Sequence, residues 1–183
     1  TDLAHHTLLH IAMDSDVGGL PIQRALPNRG RRTVGAWCFL DHAGPTVFNG
    51  TSPGMDVGPH PHIGLGTVTY LYRGDFHHRD SIGTDQVILP GAVNWMVAGK
   101  GVTHSERTSA AGRAGPHSLY GIQTWIALPE NREDMDPIFE HHGKEALPEL
   151  AKTKGSITVV TSVSGIGGDW KQPVYNSTKY ALN

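Results

Sequence analysis

Residues 58–108 decide the fold, and they read GPHPHIGLGTVTYLYRG followed by DFHHRDSIGTDQVILPGAVNWMVAGKGVTHSERT. The stretch opens with a His-x-His pair, His60 and His62, and closes with His104 and Glu106 at the same spacing. Side chains on an extended strand alternate between its two faces, so each pair places both of its side chains on one face. Two such pairs on neighbouring strands would bring three imidazoles and one carboxylate to one point. This ligand set predicts a divalent transition metal, with Fe(II), Mn, Co, Ni, Cu and Zn all suited to it.

The segments around these pairs are short, apolar or alternating, and bounded by turn residues. Residues 67–74, TVTYLYRG, alternate as a strand does, and residues 121–129, GIQTWIALP, form a second strong strand pattern closed by proline. The chain contains 23 Gly and 12 Pro, and only 17% of its residues are charged. Such a turn-rich composition, with strands at short intervals, predicts an all-β protein built as a small barrel or jelly roll.

Bulk properties exclude several classes of function. The net charge of -2 provides no basic field for direct binding of nucleic acid or an anionic membrane, and no apolar run is long enough to span a bilayer. The single cysteine, Cys38, excludes an internal disulfide framework and lies in an apolar run. The first residues, TDLAHHTLLHIAM, lack the basic start and the small-residue cleavage site of a secretory signal. We therefore expect a cytoplasmic protein.

The other histidines are weaker candidates for the site. His77 and His78 are adjacent on a predicted strand, so at most one of them can face the cavity, and a surface role or a role supporting the ligands is expected. His141 and His142 lie in a charged, proline-interrupted segment and are expected to be solvated. Two further histidines are left open, since nothing in the sequence requires them to lie near the site: His42 and His117.

Five phrases carry a resemblance to a known family: RALPNRGRRTVGAWCFLDHAGP, GMDVGPHPHIGL, TVTYLYRGDFHHRDSIG, DQVILPGAVNWMVAGKGVTHSE and GIQTWIALP. In order and spacing, over roughly residues 20–130, they resemble the pirins, a family of the cupin superfamily. The resemblance implies a cupin-type β-barrel, which is a double-stranded β-helix or jelly roll, followed by a C-terminal extension. Gly101 and His104 match the second motif of cupins.

The resemblance also implies a metal centre and two kinds of function. It puts one divalent transition metal, Fe(II) before the others, on the positions occupied here by His60, His62, His104 and Glu106. Some pirins act as quercetin 2,3-dioxygenases, which implies a flavonol substrate and Glu106 as the base that deprotonates it. The alternative is a non-enzymatic, metal-binding regulator of transcription or of a metabolic enzyme, with a protein partner. A third reading is a fragment that binds metal without a reaction of its own.

Two features depart from the family pattern. Pirins often have an acidic residue where this chain has Gly66, so a roomier or less polar cavity is expected. Pirins also resemble proteins with two barrels, whereas this chain divides into a barrel (1–130), a linker (131–155) and the start of an incomplete second barrel (156–183). It is thus expected to be a short form, able to self-associate through the surface that the missing barrel leaves exposed.

Overall fold

A computed structural model describes residues 12–50 and 52–147 of the 183-residue chain. Within those residues it contains eleven strands, one short α-helix and one 3-10 helix. The strands are β1 (Met13–Val17), β2 (Leu20–Leu26), β3 (Trp37–Phe48), β4 (Asp56–His62), β5 (Leu65–Arg73), β6 (Phe76–Asp80), β7 (Asp85–Ile88), β8 (Val93–Val97), β9 (Val102–Arg107), β10 (His117–Ala127) and β11 (Ile138–His142). The α-helix is α1 (Ala110–Arg113), and the 3-10 helix covers Lys144–Ala146.

The strands form two antiparallel sheets, which confirms the all-β prediction. A seven-stranded sheet has the order β1-β2-β3-β10-β5-β8-β11, and a four-stranded sheet has the order β4-β9-β6-β7. Consecutive strands are often not neighbours in these sheets, as expected for a jelly roll rather than a simple meander. No helix in the described part of the chain is long and apolar enough to cross a membrane.

The core follows from the alternation of side chains along each strand. On β5, Thr67, Thr69 and Leu71 are buried, while Val68 and Tyr70 between them are only half-buried. The buried apolar side chains of both sheets meet in one main cluster, and burying each contributes roughly 1.5–3 kcal/mol. Its buried members are Leu20, Ile22, Phe48, Met55, Leu71, Phe76, Ile88 and Leu119.

A glycine controls the passage from β5 in one sheet to β6 in the other. Gly74 has a φ of 80°, a left-handed conformation that side chains disfavour. A Cβ atom there would also lie 1.9 Å from the carbonyl oxygen of Ser118. Only glycine fits, and the turn that it permits sends Phe76 and His78 into the interior.

Strand β11 lies within the segment that the sequence assigned to a linker. It pairs with β8 at the end of the seven-stranded sheet, with Phe139 opposite Met96 and His141 opposite Asn94. Phe139 packs against the main core, and one inward phenylalanine among charged residues is too weak a pattern to predict a strand. Part of the predicted linker therefore belongs to this sheet. The predicted start of a second barrel, residues 156–183, lies outside the described residues.

Candidate metal centre

The pairing of β4 with β9 brings the two predicted motifs together. The strands are antiparallel, and His60 lies directly opposite His104. Directly opposed residues on paired strands point to the same face of the sheet, and His62 shares that face because it lies two residues from His60. Three imidazoles from two neighbouring strands therefore converge, as the spacing in the sequence predicts.

The three rings are in close contact. The ring centroid of His60 lies 4.3 Å from that of His104 and 4.9 Å from that of His62. The Nε2 atoms of His62 and His104 are 2.9 Å apart. His62 and His104 are buried, and His60 is half-buried. One ring nitrogen from each histidine lies within 4.8 Å of the others, which is a separation that a single ion can bridge.

The protonation of these rings suits a cation. Burial, reinforced by the neighbouring His60, lowers the pKa of His62 to about 4 and that of His104 to about 2. Both rings are therefore neutral at pH 7 and carry a free lone pair, as metal ligands must. The Nε2 atoms of His62 and His104 are close enough to each other to bind one common ion.

Glu106 lies next to His104 but belongs to a second group of possible ligands. Its carboxylate is buried, and Gln123 Nε2 donates to its Oε1 at 2.9 Å. Burial raises the pKa of Glu106 to about 7, although the Gln123 hydrogen bond opposes that rise. The second group consists of His78, His104 and Glu106, whose ligand atoms lie within 4.8 Å of one another. His104 is thus shared by the two groups.

His78 and Asp80 contribute to the site more than the sequence indicated. His78 is 2% exposed, and its Nδ1 lies 3.4 Å from Nδ1 of His104. Its Nε2 lies 3.0 Å from Oδ2 of Asp80, whose side chain has no exposed surface. The sequence signal that could have identified His78 and Asp80 is the apolar Phe76, which is expected to face inward. Residues two and four positions further along β6 share its face.

The seven-stranded sheet supplies the opposite wall of the site. Trp125 lies edge-on to His62 with 4.9 Å between ring centroids, and it stacks on Phe39 at 3.9 Å. Its Nε1 donates to Oε1 of Gln123, whose amide nitrogen holds Glu106. A surface cleft of about 350 Å³ also borders His62. The sequence offered one hint of this wall, because Gln123 and Trp125 are two residues apart on one strand.

The expectation that Gly66 enlarges the cavity is wrong. A Cβ atom on Gly66 would lie 3.2 Å from the Trp95 ring and 3.4 Å from Ile126. Thr69, which accepts a hydrogen bond from Gln123, lies three residues further along β5 and therefore on the opposite face of the strand. A side chain at position 66 would point away from the histidines.

The remaining histidines make local contacts. His77 pairs with Asp85 on the neighbouring strand, and His142 lies 3.3 Å from Glu140. His141 is exposed, as expected, but its Nδ1 also lies 2.6 Å from Oδ1 of Asn94. The two histidines that the sequence left open contact aromatic rings, His42 that of Tyr120 and His117 that of Phe48.

Comparison with known sequences gives a consistent family. The sequence model of the family described as Pirin matches residues 19–126. A pirin-like protein of Caulobacter vibrioides is 41% identical over 174 residues, which cover 94% of this chain and 60% of that protein. A protein of Pseudomonas aeruginosa named "Putative quercetin 2,3-dioxygenase" is 45% identical over 81% of this chain and 44% of its own length. The chain thus spans about half the length of these relatives.

Solved structures share the fold. The crystal structure of a quercetin 2,3-dioxygenase from Acinetobacter baumannii is 42% identical, with a TM-score of 0.68 over 83% of this chain and 46% of that one. A bacterial pirin from Escherichia coli in complex with nickel(II) is 23% identical, with a TM-score of 0.58 over 72% of this chain and 54% of that one. The latter likeness supports the fold alone. This chain belongs to the pirin family and has its cupin-type β-barrel fold.

Proposed function

We propose that this pirin is a metal-dependent dioxygenase that acts on a flavonol such as quercetin. The observation that carries the proposal is the convergence of His60, His62 and His104, with 2.9 Å between two of their Nε2 atoms. The substrate class is suggested by the names of the relatives from Acinetobacter baumannii and Pseudomonas aeruginosa. In this reaction the flavonol is oxidised and dioxygen is reduced, and both oxygen atoms of dioxygen enter the products.

The proposed ligands are His60, His62, His104 and Glu106, for one divalent transition metal with Fe(II) as the first choice. Neutral imidazoles and a carboxylate suit such metals, whereas structural zinc is usually held by thiolates. The metal would supply Lewis-acid activation of the substrate oxygens and, in the case of iron, electron exchange with dioxygen. Glu106 would have to serve this ion rather than the second group that it forms with His78.

Glu106 is also the proposed base. A flavonol hydroxyl must lose its proton before the ring is oxidised, and a buried carboxylate beside the metal ligands can accept it. Gln123 holds one carboxylate oxygen of Glu106 through its amide nitrogen, and the other oxygen would take the proton once it leaves or loosens from the metal. The O–H bond of the flavonol breaks, and the new O–H bond forms on Glu106.

Aromatic side chains support a flat substrate at this site. Trp125 and Phe39 stack nearly parallel, with 10° between their planes, and the Trp125 edge faces His62. Planar aromatic ligands gain from offset-stacked or edge-to-face contacts with such rings. We propose that this pair positions the aromatic substrate next to the metal.

Oxygen uptake with quercetin tests the proposal. Protein reconstituted with Fe(II) should consume oxygen in proportion to quercetin, and the His62→Ala variant should lose both the metal and the uptake while its circular dichroism stays unchanged. His142→Ala is the control, because His142 lies on β11 and contacts Glu140. Turnover by a His62→Ala protein that is verified as metal-free would contradict the proposal. Bound metal without flavonol-dependent uptake would also contradict it, and would favour the non-enzymatic regulator with a protein partner.

A further inference from the structure

The side chain of Asp80 determines where the proton of His78 lies. Its Oδ1 accepts hydrogen bonds from the backbone N–H groups of Ile82 at 3.1 Å and Thr84 at 2.9 Å. Its Oδ2 lies 3.0 Å from Nε2 of His78. An ionised carboxylate can only accept hydrogen bonds, so Nε2 of His78 must donate and must carry the proton.

The position of the proton on His78 determines the position of the proton on His104. A neutral imidazole has one N–H group, so His78 with its proton on Nε2 presents a lone pair at Nδ1. That lone pair faces Nδ1 of His104 at 3.4 Å, and both rings are almost completely buried. Nδ1 of His104 must therefore donate, and Nε2 of His104 is left with the free lone pair. This Nε2 is the atom that lies 2.9 Å from Nε2 of His62.

We propose that Asp80 and His78 form a hydrogen-bond relay that fixes the tautomer of His104 and leaves its Nε2 free to bind the metal. Both are positioning residues, because they act on the metal through His104. The inference rests on the metal site of the proposed function. Groups that orient a metal-bound histidine in this way typically change metal affinity by about 10–100-fold when they are removed.

The same residues offer a competing arrangement. His78, His104 and Glu106 could hold a second ion, since one possible ligand atom of each lies within 4.8 Å of the others. His104 would then bridge two metals, and no proton could lie between His78 and His104. The relay requires one proton there, so it predicts one metal ion per chain and the competing arrangement predicts two.

The first test is the tautomer of His104 in metal-free protein, read from long-range ¹H–¹⁵N NMR spectra of histidine-labelled protein. The signals are assigned by their loss in the His104→Gln variant. The relay predicts that His104 carries its proton on Nδ1 in the wild type. A proton on Nε2 of His104 would overturn the proposal. This measurement needs no metal, so it distinguishes failure of the relay from failure of the metal site.

The second test uses variants of His78 and Ni(II) as the probe, with affinity measured by competition against a chromophoric chelator. His78→Leu removes the acceptor and should weaken Ni(II) binding by about 10–100-fold. His78→Asn keeps an amide oxygen near the position of Nδ1 and should restore most of the affinity. Equal affinity in the wild type and His78→Leu, or two Ni(II) ions per wild-type chain, would overturn the relay.

Discussion

Burial sets the protonation state of the single residues around the candidate metal centre. The same cause acts with opposite sign on bases and acids, because a buried site disfavours whichever form is charged. It lowers the pKa values of His62 and His104 and raises that of Glu106. Without metal, His62 and His104 are therefore neutral imidazoles, and Glu106 is a carboxyl group that ionises only near pH 7.

The Glu106→Gln substitution should stabilise the metal-free protein at pH 8. The folded-state pKa of Glu106, about 7, exceeds the ordinary value of 4.5. The ionised carboxylate therefore destabilises the folded protein relative to the unfolded chain, in which it is hydrated. The sign follows: the cost is fully present above pH 7 and disappears as the pH falls toward 4.5. Urea unfolding should show a gain of the order of 3 kcal/mol at pH 8. The gain should be smaller at pH 5.5.

The matched control for this measurement is Glu130→Gln, because Glu130 is exposed. That variant should leave the free energy of unfolding nearly unchanged at both pH values, as surface substitutions usually do. A Glu106→Gln variant that is less stable than the wild type at pH 8 would contradict the assignment of Glu106 as a buried, weakly acidic carboxyl group.

Sequence spacing predicted some of these residues and missed others for a physical reason. His60 and His62 could be predicted to share a face, because alternation along a strand needs no knowledge of the rest of the fold. The contribution of His78 was less clear, since His77 and His78 are adjacent and only the apolar Phe76, two residues before His78, indicates which of them faces inward. Gln123 reaches Glu106 from the other sheet, and a contact between sheets depends on packing that no local pattern records.

At the scale of secondary-structure elements, strands β4 and β9 form the framework of the site. All four proposed ligands lie on these two strands, and the pairing of His60 with His104 fixes their alignment. A shift of one residue in this pairing would turn one set of side chains to the other face of the sheet. The site therefore depends on the register of one strand pair more than on any loop.

Strand β11 should contribute to stability through one face only. Phe139 stacks on His78 with 4.4 Å between ring centroids and packs against the main core, whereas Ile138 is 38% exposed. We expect Phe139→Ala to cost about 2 kcal/mol, less than the ~3–5 kcal/mol of a fully buried phenylalanine, and Ile138→Ala to cost well under half as much. Thermal or urea unfolding measures both. Equal effects of the two substitutions would indicate that residues 138–142 do not form a strand of the barrel.

The strands differ in how clearly their sequences predict them. The β5 sequence alternates clearly, and its burial alternates with it, since Thr67, Thr69 and Leu71 are buried and Val68 and Tyr70 are half-buried. Strand β11 sits at the end of a sheet with only Phe139 as an inward apolar residue, so its pattern is hidden among charged neighbours. The face of β5 on which Gly66 lies could not be predicted either, because glycine has no side chain whose polarity would indicate it.

At the scale of the whole molecule, the two sheets have separate parts in the site. The four-stranded sheet provides all the proposed ligands, and the seven-stranded sheet provides Gln123, Trp125 and Phe39 across from them. The chain covers 60% of its relative from Caulobacter vibrioides and 46% of the solved Acinetobacter baumannii protein. Self-association and a cytoplasmic location stay predictions.

The central claim is that His60, His62 and His104 hold one divalent transition metal. The most direct measurement is the metal content of the protein, determined by inductively coupled plasma mass spectrometry. The protein is first reconstituted anaerobically with Fe(II), and unbound metal is removed. The account predicts one iron per chain in the wild type and in His142→Ala, and none in folded His62→Ala or His104→Ala. A wild-type protein without metal, or undiminished metal in both of those variants, would contradict it.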